Sequence, residues 1–120
     1  MFNINAVLAA YIITMLWSEC TDDGTPMDQH YGPTDIAPDS LARLRKDVET
    51  FLARLDAERI EWWAEYEDDI LGHNLHLTRN RHGCGFWEDE SMFSAALTTH
   101  ARSLGEVWPY VGDDGRVHVA

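Results

Sequence analysis

The stretch that most limits how this chain can fold runs from residue 40 to 71, SLARLRKDVETFLARLDAERIEWWAEYEDDIL. Leu41, Leu44, Val48, Phe51, Leu52, Leu55, Trp62, Tyr66 and Ile70 recur at intervals of three and four, the period of a helix with one buried face. Pro38 suits a first helical turn, where its missing N–H is not needed, and Asp39 complements the positive end of the macrodipole. Unbroken, some 30 residues at 1.5 Å each would make a rod of about 45 Å, longer than a small domain is wide. The spacing therefore predicts a kink or break within 57–62. Trp62 and Trp63 cannot both face inward on one helix. Trp63 is the simpler one to leave partly exposed among acids, either as a protein contact or beneath the irregular segment 20–38.

The outer face of this stretch is mixed at Arg43, Arg45, Lys46 and Arg54, then wholly acidic at Glu61, Glu65, Glu67, Asp68 and Asp69. Read as the last turns of a helix, these acids oppose the dipole. That arrangement invites a functional reason, although solvation alone tolerates it.

Upstream, Val7, Leu8, Tyr11, Ile12, Met15 and Leu16 predict a first helix over 5–18 that ends near Glu19. Residues 20–38, CTDDGTPMDQHYGPTDIAP, carry three prolines and two glycines and read as an irregular acidic surface loop. Past residue 71, Gly72 reads as a helix stop and the pattern switches to period two. NLHLTRN and CGFWE then form a hairpin, with Gly83 as the left-handed residue of its turn. In that register Asn80 pairs with Cys84, Thr78 with Phe86 and His76 with Glu88. Leu75, Leu77 and Trp87 share the core face, and Arg81 and His82 form an exposed tip. SMFSAALTTHARSLG predicts a helix over 91–105 capped by Gly105, and VWPYVGDDGRVHVA a second hairpin about its GDDG turn.

The sum is one α+β domain over 1–120: two N-terminal helices and a third helix on one face of an antiparallel sheet of about four strands, made of two hairpins. At 120 residues the chain can bury one core and not two. Its apolar fraction of 45%, with five tryptophans, places the charge on a folded body.

That charge is -12, from 21 acids against nine basic residues. Such a field repels phosphates and anionic lipid and attracts basic protein surfaces. It disfavours direct nucleic-acid or membrane contact and favours a partner that itself grips nucleic acid. Cys20 and Cys84 can form at most one bridge, so a reduced, cytoplasmic setting is expected. AVLAAYIITMLW, residues 6–17, is shorter than the roughly 20 residues that span a bilayer. No Lys or Arg precedes it, and the first basic side chain is Arg43.

Two chemistries compete in LHLTRNRHGCGFWEDE, residues 75–90. Cys84 beside His82 or His76 would make an activated thiol, and His73, His76, His82 and Cys84 offer nitrogen and sulfur ligands. On a strand, however, His73 and His76 point to opposite faces, and the spacing matches no established zinc pattern. Turn architecture accounts for the same residues, so no catalytic residue, metal ligand or cofactor is assigned. Paired acids such as Asp68 with Asp69 or Asp113 with Asp114 read as solvated.

Together DIAPDSLARLRKDVETF, LTRNRHGCGFWED and GEVWPYVGDDGRV resemble a group of small acidic phage and prophage proteins marked by an LTRN-x-HG-x-GFW core and a final YVGDDG turn. The usual pattern has a glycine after Asn80, where this chain has Arg81. The resemblance implies a phage setting and a shared fold, and is similar in kind to anti-CRISPR and anti-restriction inhibitors that occupy a nuclease's nucleic-acid groove. On that reading the chain is a non-enzymatic, phosphate-mimicking inhibitor of a basic, nucleic-acid-binding host defence complex, acting in the host cytoplasm. Its contacts would be Glu61, Glu65, Asp68 and Asp69, joined by Asp22, Asp23, Glu88, Asp89 and Glu90. The alternative is a small enzyme or metal-binding protein using the His/Cys segment 73–88.

Overall fold

The computed structural model describes residues 3–120. It contains four α-helices: α1 (Ile4–Ser18), α2 (Pro38–Ala57), α3 (Asp68–Arg79) and α4 (Ser94–Ser103). Its one sheet is two-stranded and antiparallel, β1 (Pro109–Val111) with β2 (Val117–Val119). The expected four-stranded sheet is thus corrected: the first hairpin is absent, and its leading segment belongs to α3.

Gly72 explains the difference. It sits inside α3, where α3 lies against α1 so closely that a Cβ would come within 2.2 Å of the Val7 carbonyl oxygen and 2.9 Å of the Tyr11 nitrogen. Glycine here permits backbone contact between two helices instead of ending one. With the helix continuing, Leu71, Leu75 and Thr78 fall on a buried face, as do His76, Arg79 and Asn80. Helix α3 runs parallel to α1, since Asn3 N donates to Asp68 at their starts (3.0 Å) and Asn80 reaches Glu19 at their ends (3.0 Å).

Two helices end in the same turn. After α2, Arg59 adopts φ +58°, and Ile60 N donates to the Leu55 carbonyl (2.9 Å). After α3, Arg81 adopts φ +56°, Arg81 N donates to Thr78 O (3.1 Å) and His82 N to Leu77 O (2.9 Å). These are Schellman turns with arginine in the left-handed position where glycine is usual. The first supplies the break expected within 57–62. The second turns the chain sharply, so His82 folds back toward α1 and α3. Gly83 does not carry the left-handed residue of a hairpin turn.

The other expected features sort cleanly. Trp62 is buried and Trp63 is 41% exposed. Trp87, expected in the core, is 48% exposed, while Phe86 is buried, stacked near Phe51 and edge-on to Tyr66. The Gly112–Gly115 turn joins β1 to β2 with Tyr110 opposite His118. Segment 20–38 carries two single 3-10 turns, and Ile36 bridges to Val117, which ties β2 to the start of α2. No helix of the described residues is long and apolar enough to cross a membrane.

Candidate functional site

The ends of α1 and α3, and the turn that follows α3, meet in a buried polar cluster. Glu19 is the residue after α1, and its Oε2 accepts from His76 Nε2 (2.6 Å), His82 Nε2 (2.9 Å) and Asn80 Nδ2 (3.0 Å). Asn80 also donates to Val107 O (2.6 Å) and accepts from Val107 N (2.9 Å), so its amide is fully used and fixed. The other ring nitrogen of His76, Nδ1, meets the Tyr11 hydroxyl at 3.0 Å. Arg79 Nη1 donates to that same hydroxyl (3.3 Å) and to Asp47 Oδ2 (3.0 Å), while Nε donates to Gly105 O (2.8 Å). His76, Arg79 and Asn80 are one helical turn apart, which is why a single face of α3 carries them all.

Electrostatics assign the protons. Burial pushes the His76 imidazole below its ordinary value, and the contact with Glu19 only partly opposes this. Burial alone would raise the Glu19 carboxyl, but the hydrogen bonds from His76 and His82, the charge available at His76 and the Asn80 bond together hold it below the usual range. Near neutral pH the cluster is therefore a carboxylate facing a neutral His76. The Tyr11 phenol, desolvated and fully buried, is pushed far above its ordinary range and stays protonated.

These shifts give a signed prediction. The unfolded chain takes up a proton at His76 below about pH 6.5 that the folded state refuses, and folded Glu19 refuses one below about pH 4.5. Both effects lower stability as pH falls. The slope from His76 alone approaches about 1.4 kcal/mol per pH unit where only the unfolded state is protonated. Urea unfolding from pH 7.5 to 5 should show that slope in the native chain and a shallower one in His76→Gln. Equal slopes in the two proteins would contradict the assignment.

The structure scatters the acids expected to act together. Asp68 accepts from Asn3 N, and with Asp69 it opens α3 instead of closing a helix. Both acids therefore favour the dipole, and the expected penalty does not arise. Glu88 accepts from Gly85 N (3.2 Å), and Asp23 accepts from Thr25 N (3.1 Å) and the Thr21 hydroxyl, so local turns hold both. Asp22 and Asp23 line a cavity of about 340 Å³ with Cys20, His30, Tyr31 and Tyr110, beyond the far end of α3. Glu65, Asp89 and Glu90 instead converge on one open groove of about 450 Å³ with Tyr66, Ile70, Asn74 and Ser91. There the Tyr66 hydroxyl donates to Asp89 Oδ2 (2.7 Å) and the Ser91 hydroxyl to Glu65. Glu61 and Asp69 are exposed nearby in sequence.

The reading of the polar residues also changes. His76, expected on the hairpin face opposite the core residues, is fully buried, and His82, expected at an exposed tip, turns inward with its side chain 28% exposed. His73 meets the Thr14 hydroxyl (2.9 Å) and the Trp17 ring, away from Glu19. Cys20 and Cys84 are free thiols, and Cys84 is not part of the cluster. Sequence reasoning missed Glu19, Tyr11, Asp47, Arg79 and Asn80. The signal for three of the cluster residues was present as the helical spacing of His76, Arg79 and Asn80. Comparison with known proteins finds no matching family model, no matching curated protein and no matching solved structure.

Proposed function

We propose that the chain is a protein-binding module that engages a basic, nucleic-acid-binding partner through an acidic surface standing in for phosphates, as a phage-encoded inhibitor of a host defence complex would in the host cytoplasm. The observation that supports this best is the groove at the start of α3. Two separate segments bring Glu65, Asp89 and Glu90 to it, and none of its lining residues is basic. Carboxylates around a depression with exposed Ile70, and with half-exposed Trp63 close by in sequence, match an interface better than a sealed small-molecule pocket. The narrower surface drops Asp68, Glu88, Asp22 and Asp23, which belong to local turns, to an α1 contact or to the cavity past the C-terminal ends of α1 and α3. Glu61, Glu65, Asp69, Asp89 and Glu90 remain.

The test is charge reversal on capture and competition. Host nucleic-acid-binding proteins retained by the immobilised chain should release at raised salt, and the free chain should compete with DNA for them. Glu65→Lys with Glu90→Lys should weaken competition at least tenfold while leaving the circular dichroism spectrum unchanged. Salt-independent capture, or competition undiminished in the double variant, would refute the reading.

A further inference from the structure

We propose that Glu19, His76 and His82 form a binding site for a divalent transition-metal ion of the zinc class. The site is separate from the acidic groove and does not depend on it. One ligand atom from each residue lies within 4.8 Å of the other two. Two imidazole nitrogens and one carboxylate oxygen are a donor set that Zn²⁺ and its neighbours in the first transition row accept, and one that leaves a coordination position open.

Three features distinguish this group from a chance meeting of polar side chains. The ligands come from three backbone environments that the fold brings together: the residue after α1, the interior of α3 and the Schellman turn after it. Each nitrogen presented is Nε2, and the rings are held 5.9 Å apart, so both converge on one side of the carboxylate. Behind them stands an outer layer of contacts of the kind that orients metal ligands. Asn80 holds the Glu19 carboxylate, and the Tyr11 hydroxyl holds His76 Nδ1. His82 is the partly open member, which gives an ion access from solvent and leaves room for a bound water.

The geometry needs little adjustment. Metal–ligand bonds of about 2.0–2.2 Å in a tetrahedron place neighbouring ligand atoms roughly 3.3 Å apart. The present separations from Glu19 are 2.6 and 2.9 Å, so each ring withdraws by about half an ångström, and His82 stands on a turn that lets it do so. In the absence of metal each Nε2 carries a proton donated to Glu19. On coordination the proton moves to Nδ1 of the same ring; His76 Nδ1 then donates to the Tyr11 oxygen, and the Tyr11 O–H, which donated to Nδ1 in the metal-free form, rotates away from the ring. The rings stay neutral, and the carboxylate offsets one of the ion's two charges in a strongly acidic chain.

The experiment uses the full chain stripped with a chelator. Calorimetric titration with Zn²⁺ should give one saturable site per chain. Co²⁺ in the same protein should develop visible absorption of a low-coordinate centre, and Mg²⁺ should give neither signal. His82→Ala, chosen because the residue is half-open and lies outside any helix, should keep its fold and lose at least tenfold in Zn²⁺ affinity. Glu19→Gln should do the same where it folds. Asp114→Ala, which breaks the exposed Asp114–His118 pair (3.0 Å), should bind Zn²⁺ like the native chain. Nitrogen-15 spectra of the zinc-bound chain should show His76 protonated at Nδ1. Absence of saturable Zn²⁺ binding, equal affinity in His82→Ala, or loss of binding in Asp114→Ala would each overturn the proposal.

Discussion

Gly72→Ala should destabilise the chain by about 3 kcal/mol or more, at or beyond the upper end of ordinary overpacking costs. The sign is what makes this result informative. In an exposed helix interior the same change gains about 1 kcal/mol, because alanine is the better helix former. Here the added methyl meets the Val7 carbonyl oxygen at 2.2 Å and the Tyr11 nitrogen at 2.9 Å, both in the backbone of α1. No side-chain rotation relieves that clash, so α1 and α3 must separate along the contact that buries Val7, Tyr11, Leu71 and Leu75. The control is Gly83→Ala, where nothing lies within 4 Å of the new Cβ. Urea midpoints of the two variants should differ widely. A Gly72→Ala chain as stable as Gly83→Ala would mean that α1 and α3 do not pack in this way. Separation of the two helices would also draw Glu19 away from His76, so the same variant should lose Zn²⁺ affinity in the fraction that remains folded.

Gly72 is also where the sequence misleads. A glycine that ends a helix and a glycine that lets two helices touch look alike in one sequence, and only the partner backbone tells them apart. With Gly72 taken as a stop, the Leu75–Leu77 alternation reads as a strand, although Leu71, Leu75 and Thr78 fit a helix equally well. That choice of period set His76 and His82 beside His73 and Cys84 on a hairpin as candidate ligands, without Glu19. On a strand His76, Arg79 and Asn80 do not share a face, whereas on α3 they do. The sharp turn after Asn80 was hidden for a related reason, since Arg81 and Arg59 occupy left-handed positions without the glycine that would announce them. Glu19 was beyond reach by any local rule, because it meets His76 across 57 positions of chain. What could be read was governed by local physics. Pro38 and the spacing of Leu44, Val48, Phe51 and Leu55 mark α2, the length of the rod demands the break after Ala57, and the GDDG turn sets the terminal hairpin. The acids were legible as charge but not as position. Residues 61–69 read as one rigid helix, whereas Glu61 and Glu65 flank a short 3-10 turn and Asp68 and Asp69 begin α3.

Arg79→Met should cost about 3–5 kcal/mol, the range for breaking a buried ion pair by removing one partner. The Arg79 side chain is 1% exposed, and each of its three guanidinium nitrogens donates a hydrogen bond. It pairs with Asp47 on α2, donates to the carbonyls of Leu104 (3.4 Å) and Gly105 (2.8 Å) just beyond α4, and supports the Tyr11 hydroxyl on α1. Methionine fills similar volume and donates nothing, so it strands the Asp47 carboxylate, two carbonyls at the negative end of α4 and one side of Tyr11. Lysine should rescue little, because a single ammonium cannot reproduce a planar fork aimed at three elements. Asp47→Ala alone should cost less, since that carboxylate is 24% exposed and its loss leaves Arg79 its other acceptors. The double variant Arg79→Met with Asp47→Ala should fall well short of the sum of the singles, measuring their coupling directly. Additive effects, or a loss below about 1 kcal/mol for Arg79→Met, would show that the guanidinium is not the tie between α1, α2, α3 and α4. Because Tyr11 orients His76, the folded remainder of Arg79→Met should also bind Zn²⁺ more weakly than the native chain, while Asp47→Ala should not.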